Sequence, residues 1–270
     1  MIIKNLPQFT AEKELFDFLV ENEQTIFAQA KSQVKHADAF SHLSIPLRDK
    51  FNADKSAALS TEDLLSKDVL QVKAVINTTG ILDSHSDVHI PGLWNKSLKE
   101  TGSRMLHVQE HKSREFDKII SSGEDLKAYT ETVSFKSLGY NFKGTTEALT
   151  FDAKVRKNRN SYMHEQYAKG FVTNHSVGMI YTKMVTCINH EDYPTQKENY
   201  DKYAPMIVNQ EALESTKYFW AVLEAKAVEG SAVPNGSNWV TPTTSVKGTK
   251  EEIKEVSKEQ QAIMKFLNID

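Results

Sequence analysis

Cysteine is almost missing from this sequence, since Cys187 is the single one among 270 residues. An internal disulfide framework is therefore excluded, and this cysteine usage is typical of a reducing cytoplasm. Long apolar runs are missing too, because stretches such as residues 18–20 are far too short to cross a bilayer. The start, from Met1 to Pro7, has no apolar stretch after a basic one, so no signal peptide is expected.

Neither sign of charge dominates the sequence. The 33 basic and 36 acidic side chains give a net charge of −3, which predicts neither a nucleic-acid partner nor a membrane partner. No internal repeat or low-complexity stretch is visible. With 39% hydrophobic and 26% charged residues, the composition is typical of a globular protein that buries a core.

The spacing of apolar residues divides the chain into three zones, residues 1–68, 69–243 and 244–270. The first zone has helical spacing and a helix-capping pattern that begins at Ser60. The second is mostly strand-like and begins with alternation at period two. The third is charged and predicts a helix or tail through Ile253, Val256, Ile263 and Phe266.

The middle zone defines the fold class. Its strands are predicted at residues 69–76, 105–110, 128–135, 148–155, 175–184 and 218–228. Helices are predicted within it at residues 93–101, 162–169 and 197–216. Short strands with a few inserted helices favour a β-rich α+β domain, expected to be a small barrel flanked by helices.

Three segments of the middle zone together supply the groups that serine hydrolysis requires: a hydroxyl, a base and a group that orients the base. His111 ends a predicted strand, Ser176 begins another, and Glu229 ends a third. Gly178, two residues after the serine, would let backbone N–H groups approach a developing oxyanion. Each residue taken alone is more often an ordinary strand or surface residue, so the order of the segments carries the prediction.

That order resembles the prohead proteases of tailed phages, which are similar in fold to the herpesvirus maturation protease. The matching motifs are the acidic loop from Leu82 to Pro91-Gly92, the helix after Trp94, the strand ending at His111, Ser176-Val177-Gly178, the segment from Glu229 to Val233, and the turn from Gly236 to Asn238. Two features depart from the family pattern. Lys112 stands where an acidic residue usually follows the histidine, and residues 117–120 only faintly match a Pro-Ile-Gly-like segment.

The resemblance implies a serine endopeptidase in which Ser176 attacks the peptide carbonyl and His111 is the general base. Glu229 is favoured as the third member, with Glu224 as its competitor. Five residues apart, the two glutamates would face opposite sides of a regular strand. The implied substrates are scaffold and major capsid protein precursors, cleaved inside assembling proheads in the host bacterial cytoplasm. A homodimer is also implied, and no cofactor.

A zinc site and a cysteine nucleophile are the alternatives to serine hydrolysis. His85 and His89, with Asp83 and Asp87 nearby, could form the zinc site of a hydrolase, although no His-Glu-x-x-His pattern accompanies them. Cys187 is a weaker nucleophile candidate, because a lone cysteine among apolar residues is more often simply buried. His175 should point away from Ser176 and is not expected to be its base.

A non-enzymatic alternative is a scaffold or capsid-assembly protein that retains the protease fold. The two interpretations differ in the geometry of one pair of residues. Catalysis predicts Ser176 and His111 within about 2.6–3.2 Å, or somewhat farther apart without substrate. A simple binding domain predicts no such approach.

Overall fold

The structure is a computed structural model that describes residues 9–36 and 59–249. Within these ranges the chain is α+β, as predicted, with seven α-helices and ten strands. The helices are α1 (Glu12–Glu21), α2 (Glu23–Ser32), α3 (Thr61–Leu65), α4 (Asn95–Thr101), α5 (Ser161–Ala168), α6 (Pro194–Tyr203) and α7 (Gln210–Thr216). The strands are β1 (Lys35–His36), β2 (Val69–Thr78), β3 (Asp87–His89), β4 (Leu106–Gln109), β5 (Ile119–Ser122), β6 (Leu126–Ser134), β7 (Thr145–Arg156), β8 (Asn174–Ile188), β9 (Tyr218–Val233) and β10 (Thr243–Thr249).

The described strands form two sheets rather than the closed barrel that was expected. One sheet has the order β1-β8-β9-β4-β5, with β3 also paired to β9, and the other has the order β10-β2-β7-β6. The long strand β9 organises the larger sheet. It is antiparallel to β8 along one edge and parallel to β3 and β4 along the other. The segments that flank the active-site candidates therefore converge on this one strand.

The two sheets share one hydrophobic core. Alternate residues of β2 and β7, such as Ile76 and Phe151, pack in the same cluster as Val177 and Met179 of β8. Each such side chain contributes roughly 1.5–3 kcal/mol when it is fully buried. The larger sheet thus has an inner face against this core and an outer face away from it, and the site described below lies on the outer face.

Helices α1 and α2 of the first zone pack against β8 of the larger sheet. Helices α1 and α2 break at Asn22 and bury Phe16 and Leu19, both fully inaccessible to solvent, in the shared core. Strand β1 then pairs with β8 beside Gly178. The predicted cap at Ser60 is confirmed, because its hydroxyl accepts a hydrogen bond from the Asp63 N–H in a reciprocal capping box.

Three local differences from the predictions have physical causes. The single helix predicted at residues 197–216 is two helices, because Pro205 has no N–H to continue the α-helical hydrogen bonds and the backbone becomes extended at Ile207. Residues 245–249 belong to β10 and pair with β2, and the rest of the predicted C-terminal helix lies outside the described residues. Strands β3 and β5 were not predicted, being too short to show alternation. None of the helices in the described ranges has the length and hydropathy to span a bilayer.

Candidate active site

His111 is presented by a tight turn at the end of β4. Glu110 and His111 both have left-handed backbones, with φ of 48° and 58°. For residues other than glycine this conformation costs roughly 1–2 kcal/mol each. Hydrogen bonds to β9 offset the cost: the Glu110 N–H donates to Ala232 O (3.0 Å) and the His111 N–H donates to Ser231 Oγ (2.9 Å). The histidine is therefore fixed against β9 through its own backbone.

Glu229 orients the imidazole of His111. The His111 Nδ1–H donates to Glu229 Oε1 at 2.5 Å, and the Ser231 hydroxyl donates to Glu229 Oε2 at 2.8 Å. Because Ser231 also accepts from the His111 backbone, the three residues close a ring of hydrogen bonds. The side chains of His111 and Glu229 are only 5% and 2% exposed. A buried carboxylate on Nδ1 holds the ring in the orientation that leaves Nε2 to face a nucleophile.

A β-bulge at Val228 decides which face Glu229 occupies. Ala227 pairs with Met179 and Glu229 with Gly178, so Val228 has no partner in the ladder. Ala225 and Ala227 point into the core before the bulge, and Gly230 and Ala232 do so after it. Glu229 and Ser231 are thereby turned to the outer face.

Glu224, the competing acid, takes no part in this ring. It accepts hydrogen bonds from Thr182 (3.0 Å) and Lys96 (3.4 Å), and its side chain is 35% exposed. The expectation that Glu224 and Glu229 face opposite sides was wrong, because the bulge shifts the alternation by one residue between them. Both lie on the outer face, but only Glu229 contacts His111.

Gly178 makes room for the Glu229 carboxylate. A Cβ built on Gly178 would collide with Oε1, Cδ and Cγ of Glu229. The sequence predicts that the glycine of the Ser-Val-Gly pattern lets backbone N–H groups approach an oxyanion. In the structure this glycine instead leaves space for the side chain of Glu229. Without a side chain at position 178, the glutamate can lie across β8.

Ser176 lies on the same face as the ring. It is directly opposite Ser231 in the β8–β9 ladder, and such pairs have Cβ atoms about 4.5–5.5 Å apart. The residue is 3% exposed, and its Oγ forms no hydrogen bond within the structure described. The hydrogen bond predicted between Ser176 and His111 is therefore not formed in this conformation, although both residues adjoin Ser231.

The loop after β9 covers Ser176. A Cβ on Gly236 would lie 2.8 Å from His175 O and 3.7 Å from Ser176 Cβ, so the loop backbone lies directly on β8. Asn238 anchors the loop, because its amide donates to Thr78 O at 2.7 Å and its carbonyl accepts from the Thr78 hydroxyl. The predicted Gly-x-Asn turn is thus the cover of the candidate nucleophile.

A cleft of about 170 Å³ adjoins the His111 turn. Its lining combines polar and apolar side chains from four segments: Gln109, Glu110, Tyr162, Met163, Gln166, Phe171, Val172, Ala232, Val233 and Pro234. Phe171 and Tyr162 are 66% and 58% exposed at its edge. Neither Ser176 nor His111 lines this cleft, so the candidate site is closed to solvent in this conformation.

His175 belongs to a different network in the core. His107 Nε2 donates to the Tyr167 hydroxyl oxygen (2.7 Å), that hydroxyl donates to His175 Nε2 (3.0 Å), and His175 Nδ1 donates to Thr241 O (3.1 Å). Burial lowers the pKa of His107 to about 3 and that of His175 to about 4, so both are neutral at pH 7. As predicted, His175 is not directed at Ser176. Nothing in the sequence pattern had identified this network.

A second polar cluster lies in the loop that precedes β3. Asp83, His85 and Asp87 bring possible metal ligands within 4.8 Å of one another. His89, the other half of the predicted zinc pair, instead contacts Asn77 Nδ2 (2.7 Å) and the Tyr181 hydroxyl (3.4 Å). Burial also lowers its pKa to about 4. His85 is therefore grouped with Asp83 and Asp87, and His89 is not part of this group.

Two further sequence features have structural roles. Cys187 is fully buried, and burial raises the pKa of its thiol, so no reactive thiolate is present at neutral pH. Lys112, the departure from the family pattern, forms a surface ion pair with Glu110 (3.2 Å) and does not touch the ring. Surface pairs of this kind contribute little to stability.

No protein-family model, curated protein or solved structure matches this chain. Function is therefore inferred from the geometry around Ser176, His111 and Glu229.

Proposed function

We propose that this chain is a serine endopeptidase with Ser176 as nucleophile, His111 as general base and Glu229 as the group that orients the base. The observation that supports this most strongly is the ring formed by His111, Glu229 and Ser231 on the face that carries Ser176. A buried carboxylate on Nδ1 of a histidine held beside a serine is the arrangement that activates a serine hydroxyl.

The chemistry requires only a small change at the nucleophile. Rotation of χ1 moves a serine hydroxyl among three staggered positions without moving the backbone. Hydrogen bonds of catalytic pairs are also often longer without substrate and shorten when it binds. In the proposed step, His111 Nε2 accepts the proton as Ser176 Oγ attacks the carbonyl carbon, and later returns that proton to the leaving amine.

We assign the developing oxyanion to one backbone group of β8. The His175 N–H donates to Thr241 O, on the side of β8 away from β9. Strand alternation directs the Val177 N–H to that same side, whereas the Gly178 N–H faces β9. The Val177 N–H is therefore the group we assign to this role.

Access to Ser176 requires the loop around Gly236 to move. This loop lies on β8 beside the nucleophile, and the neighbouring cleft with exposed Phe171 and Tyr162 offers a surface for a peptide side chain. The closed conformation is that of an enzyme at rest, and substrate binding would displace the loop.

The proposed substrates are the scaffold and major capsid protein precursors of the same virus, cleaved within proheads in the host cytoplasm, and the proposed assembly is a homodimer. These assignments rest on the order of motifs shared with the prohead proteases. Confinement in a shell would raise the local concentrations of enzyme and substrate, so modest affinity would suffice.

A second candidate function is supported by the burial of Ser176. Its Oγ is inaccessible and forms no hydrogen bond with His111 in the structure described. A capsid-assembly protein that retains the protease fold without catalysis would show the same features.

Co-expression of the chain with its virus's scaffold and capsid precursors separates the two candidates. Intact mass should show defined fragments with the wild type and only whole precursors with Ser176→Ala. A matched control is Ser215→Ala, at an exposed serine of α7, which should cleave like the wild type. Whole precursors with all three chains would favour the assembly protein, and identical cuts with all three would indicate another nucleophile.

A further inference from the structure

The loop that enters β3 assembles three buried side chains with metal-binding atoms. One ligand atom from each of Asp83, His85 and Asp87 lies within 4.8 Å of the other two. The residues are 3%, 7% and 1% exposed. Two carboxylates and an imidazole at this spacing can share a single cation.

One oxygen of Asp87 supplies an independent sign of a missing partner. The Asp87 side chain is fully inaccessible, and its Oδ2 accepts from Lys35 Nζ and from the Tyr181 hydroxyl. Its Oδ1, equally buried, has no hydrogen-bond donor within residues 9–36 and 59–249. Burial of a carboxylate oxygen without a donor is unfavourable, and a bound cation would satisfy it.

The charge of the cluster also favours a cation. Lys35 pairs with one of the two buried carboxylates, that of Asp87, and interacts with the Asp83 carboxylate through its charge, so one ammonium group faces two carboxylates. Asp83 also accepts hydrogen bonds at Oδ1 from the N–H groups of His85 (2.8 Å) and Asp87 (3.0 Å). These bonds hold the loop in shape, so the ligands are already close together before an ion binds.

We propose that Asp83, His85 and Asp87 bind one divalent transition-metal ion, with Zn²⁺ bound more tightly than Mn²⁺. Mixed imidazole and carboxylate ligands suit these ions, and water completes the coordination shell. The site differs from the His85 and His89 pair suggested by the sequence, because His89 is replaced by two aspartates. It is independent of the proposed peptidase chemistry.

The contacts of this site indicate a role in holding the cover of Ser176. The Ser237 hydroxyl donates to Asp83 Oδ2 at 3.2 Å, and the adjacent Gly236 lies on β8 beside Ser176. A cation on Asp83 would fix the carboxylate that receives this bond, as outer hydrogen bonds and ligands of metal sites commonly fix each other. The ion would thus act as a structural clamp on the loop.

Zn²⁺ titration of the chelator-treated full chain by calorimetry tests the site. The Ser176→Ala background is used so that peptidase activity plays no part. We expect one high-affinity ion per chain, and a loss of affinity of at least about tenfold in His85→Gln and in Asp87→Asn. The matched control is His190→Gln, at a half-buried histidine that pairs with Asp192, which should bind like the parent.

Lys35→Met should change the Zn²⁺ affinity in the opposite direction. Removal of the ammonium group from Asp87 leaves the carboxylate to the metal, so affinity should rise about tenfold. If Asp87→Asn does not fold by circular dichroism, His85→Gln and Lys35→Met decide the result. The proposal is overturned if the parent chain binds no Zn²⁺ at micromolar concentration, or if His85→Gln and Lys35→Met both titrate like the parent.

Discussion

The carboxylate of Glu229 occupies the space that a side chain on Gly178 would fill. The two residues are register partners on neighbouring strands, and the glutamate lies over Gly178 while its Oε1 contacts His111 Nδ1. A glycine two residues after the candidate nucleophile is therefore a steric requirement of the acid that orients the base. This relationship makes the role of Gly178 testable separately from the role of Ser176.

Gly178→Ala should reduce peptidase activity at least about 100-fold, because a methyl group would displace Glu229 and move the His111 ring by a fraction of an ångström or more. Cleavage of a capsid or scaffold precursor measures the effect. Gly102→Ala is the control, because its Cβ would lie at an ordinary 3.6 Å from Leu98 Cδ2. Equal rates for the two variants would show that Glu229 does not need this space.

Glu229→Gln should lower kcat by about 10²- to 10⁴-fold while the fold is retained. The amide is similar in size to the carboxylate but cannot stabilise the imidazolium that forms as His111 accepts a proton. The matched variant is Glu224→Gln, whose side chain contacts Lys96 and Thr182 and should change the rate by no more than about twofold. An inactive Glu224→Gln beside an active Glu229→Gln would reverse the assignment.

Tyr167→Phe should destabilise the chain without touching the site. Loss of the hydroxyl leaves His107 Nε2 without an acceptor and His175 Nε2 without a donor, at a cost of roughly 1–3 kcal/mol for each buried group. Urea unfolding measures the difference in the free energy of unfolding. Tyr162→Phe, at an exposed tyrosine of α5, should remain within about 0.5 kcal/mol of the wild type.

Stability should fall as the solution becomes more acidic than about pH 6.5. His107 and His175 are neutral when folded because burial lowers their pKa values to about 3 and about 4, whereas the unfolded chain protonates them near pH 6.5. The unfolded state thus binds more protons between pH 6.5 and 4. The free energy of unfolding should decrease there by about 1.4 kcal/mol per pH unit for each histidine.

Urea unfolding at pH 7, 6, 5 and 4 measures this slope. His107→Gln should make the slope shallower, because one of the buried, neutral histidines is removed. Tyr162→Phe, at an exposed residue of α5 outside the network, should leave the slope unchanged. A profile that is flat from pH 7 to pH 4 would contradict the neutral, buried state of both rings.

Sequence periodicity was sufficient to locate the long strands, but not to predict how they are arranged. Alternation of apolar residues locates β2, β7, β8 and β9, because each has one face in the core. The pairing of these strands joins residues far apart in the chain, and local alternation does not reveal it. A barrel was therefore expected where two sheets form. The apolar pattern of residues 197–216 was too weak to show where the helix ends, and α6 ends just before Pro205.

The site shows the same limit. The expectation that His111, Ser176 and Glu229 form the site came from the order of their segments, which resembles that of the prohead proteases, and it favoured Glu229 over Glu224. The orientation of Glu229 in the structure depends on the unpaired Val228, which has no signature in hydrophobic alternation. Local spacing gives no sign of two other features, because each joins residues far apart in the chain. These are the ion pair between Lys35 and Asp87 and the hydrogen-bond network through Tyr167.

The bulge at Val228 also affects how this chain can vary in length. Upstream of it, Ala225 and Ala227 face the core, and downstream of it Glu229 and Ser231 face outward. Deletion of that one residue would turn the glutamate toward Phe151 and Ile76, which now surround Gly230, and would turn Gly230 outward in its place. A substitution in β9 therefore leaves the facing of the other side chains unchanged. A gain or loss of one residue there would reverse the facing of Glu229 and Ser231 and so remove the site.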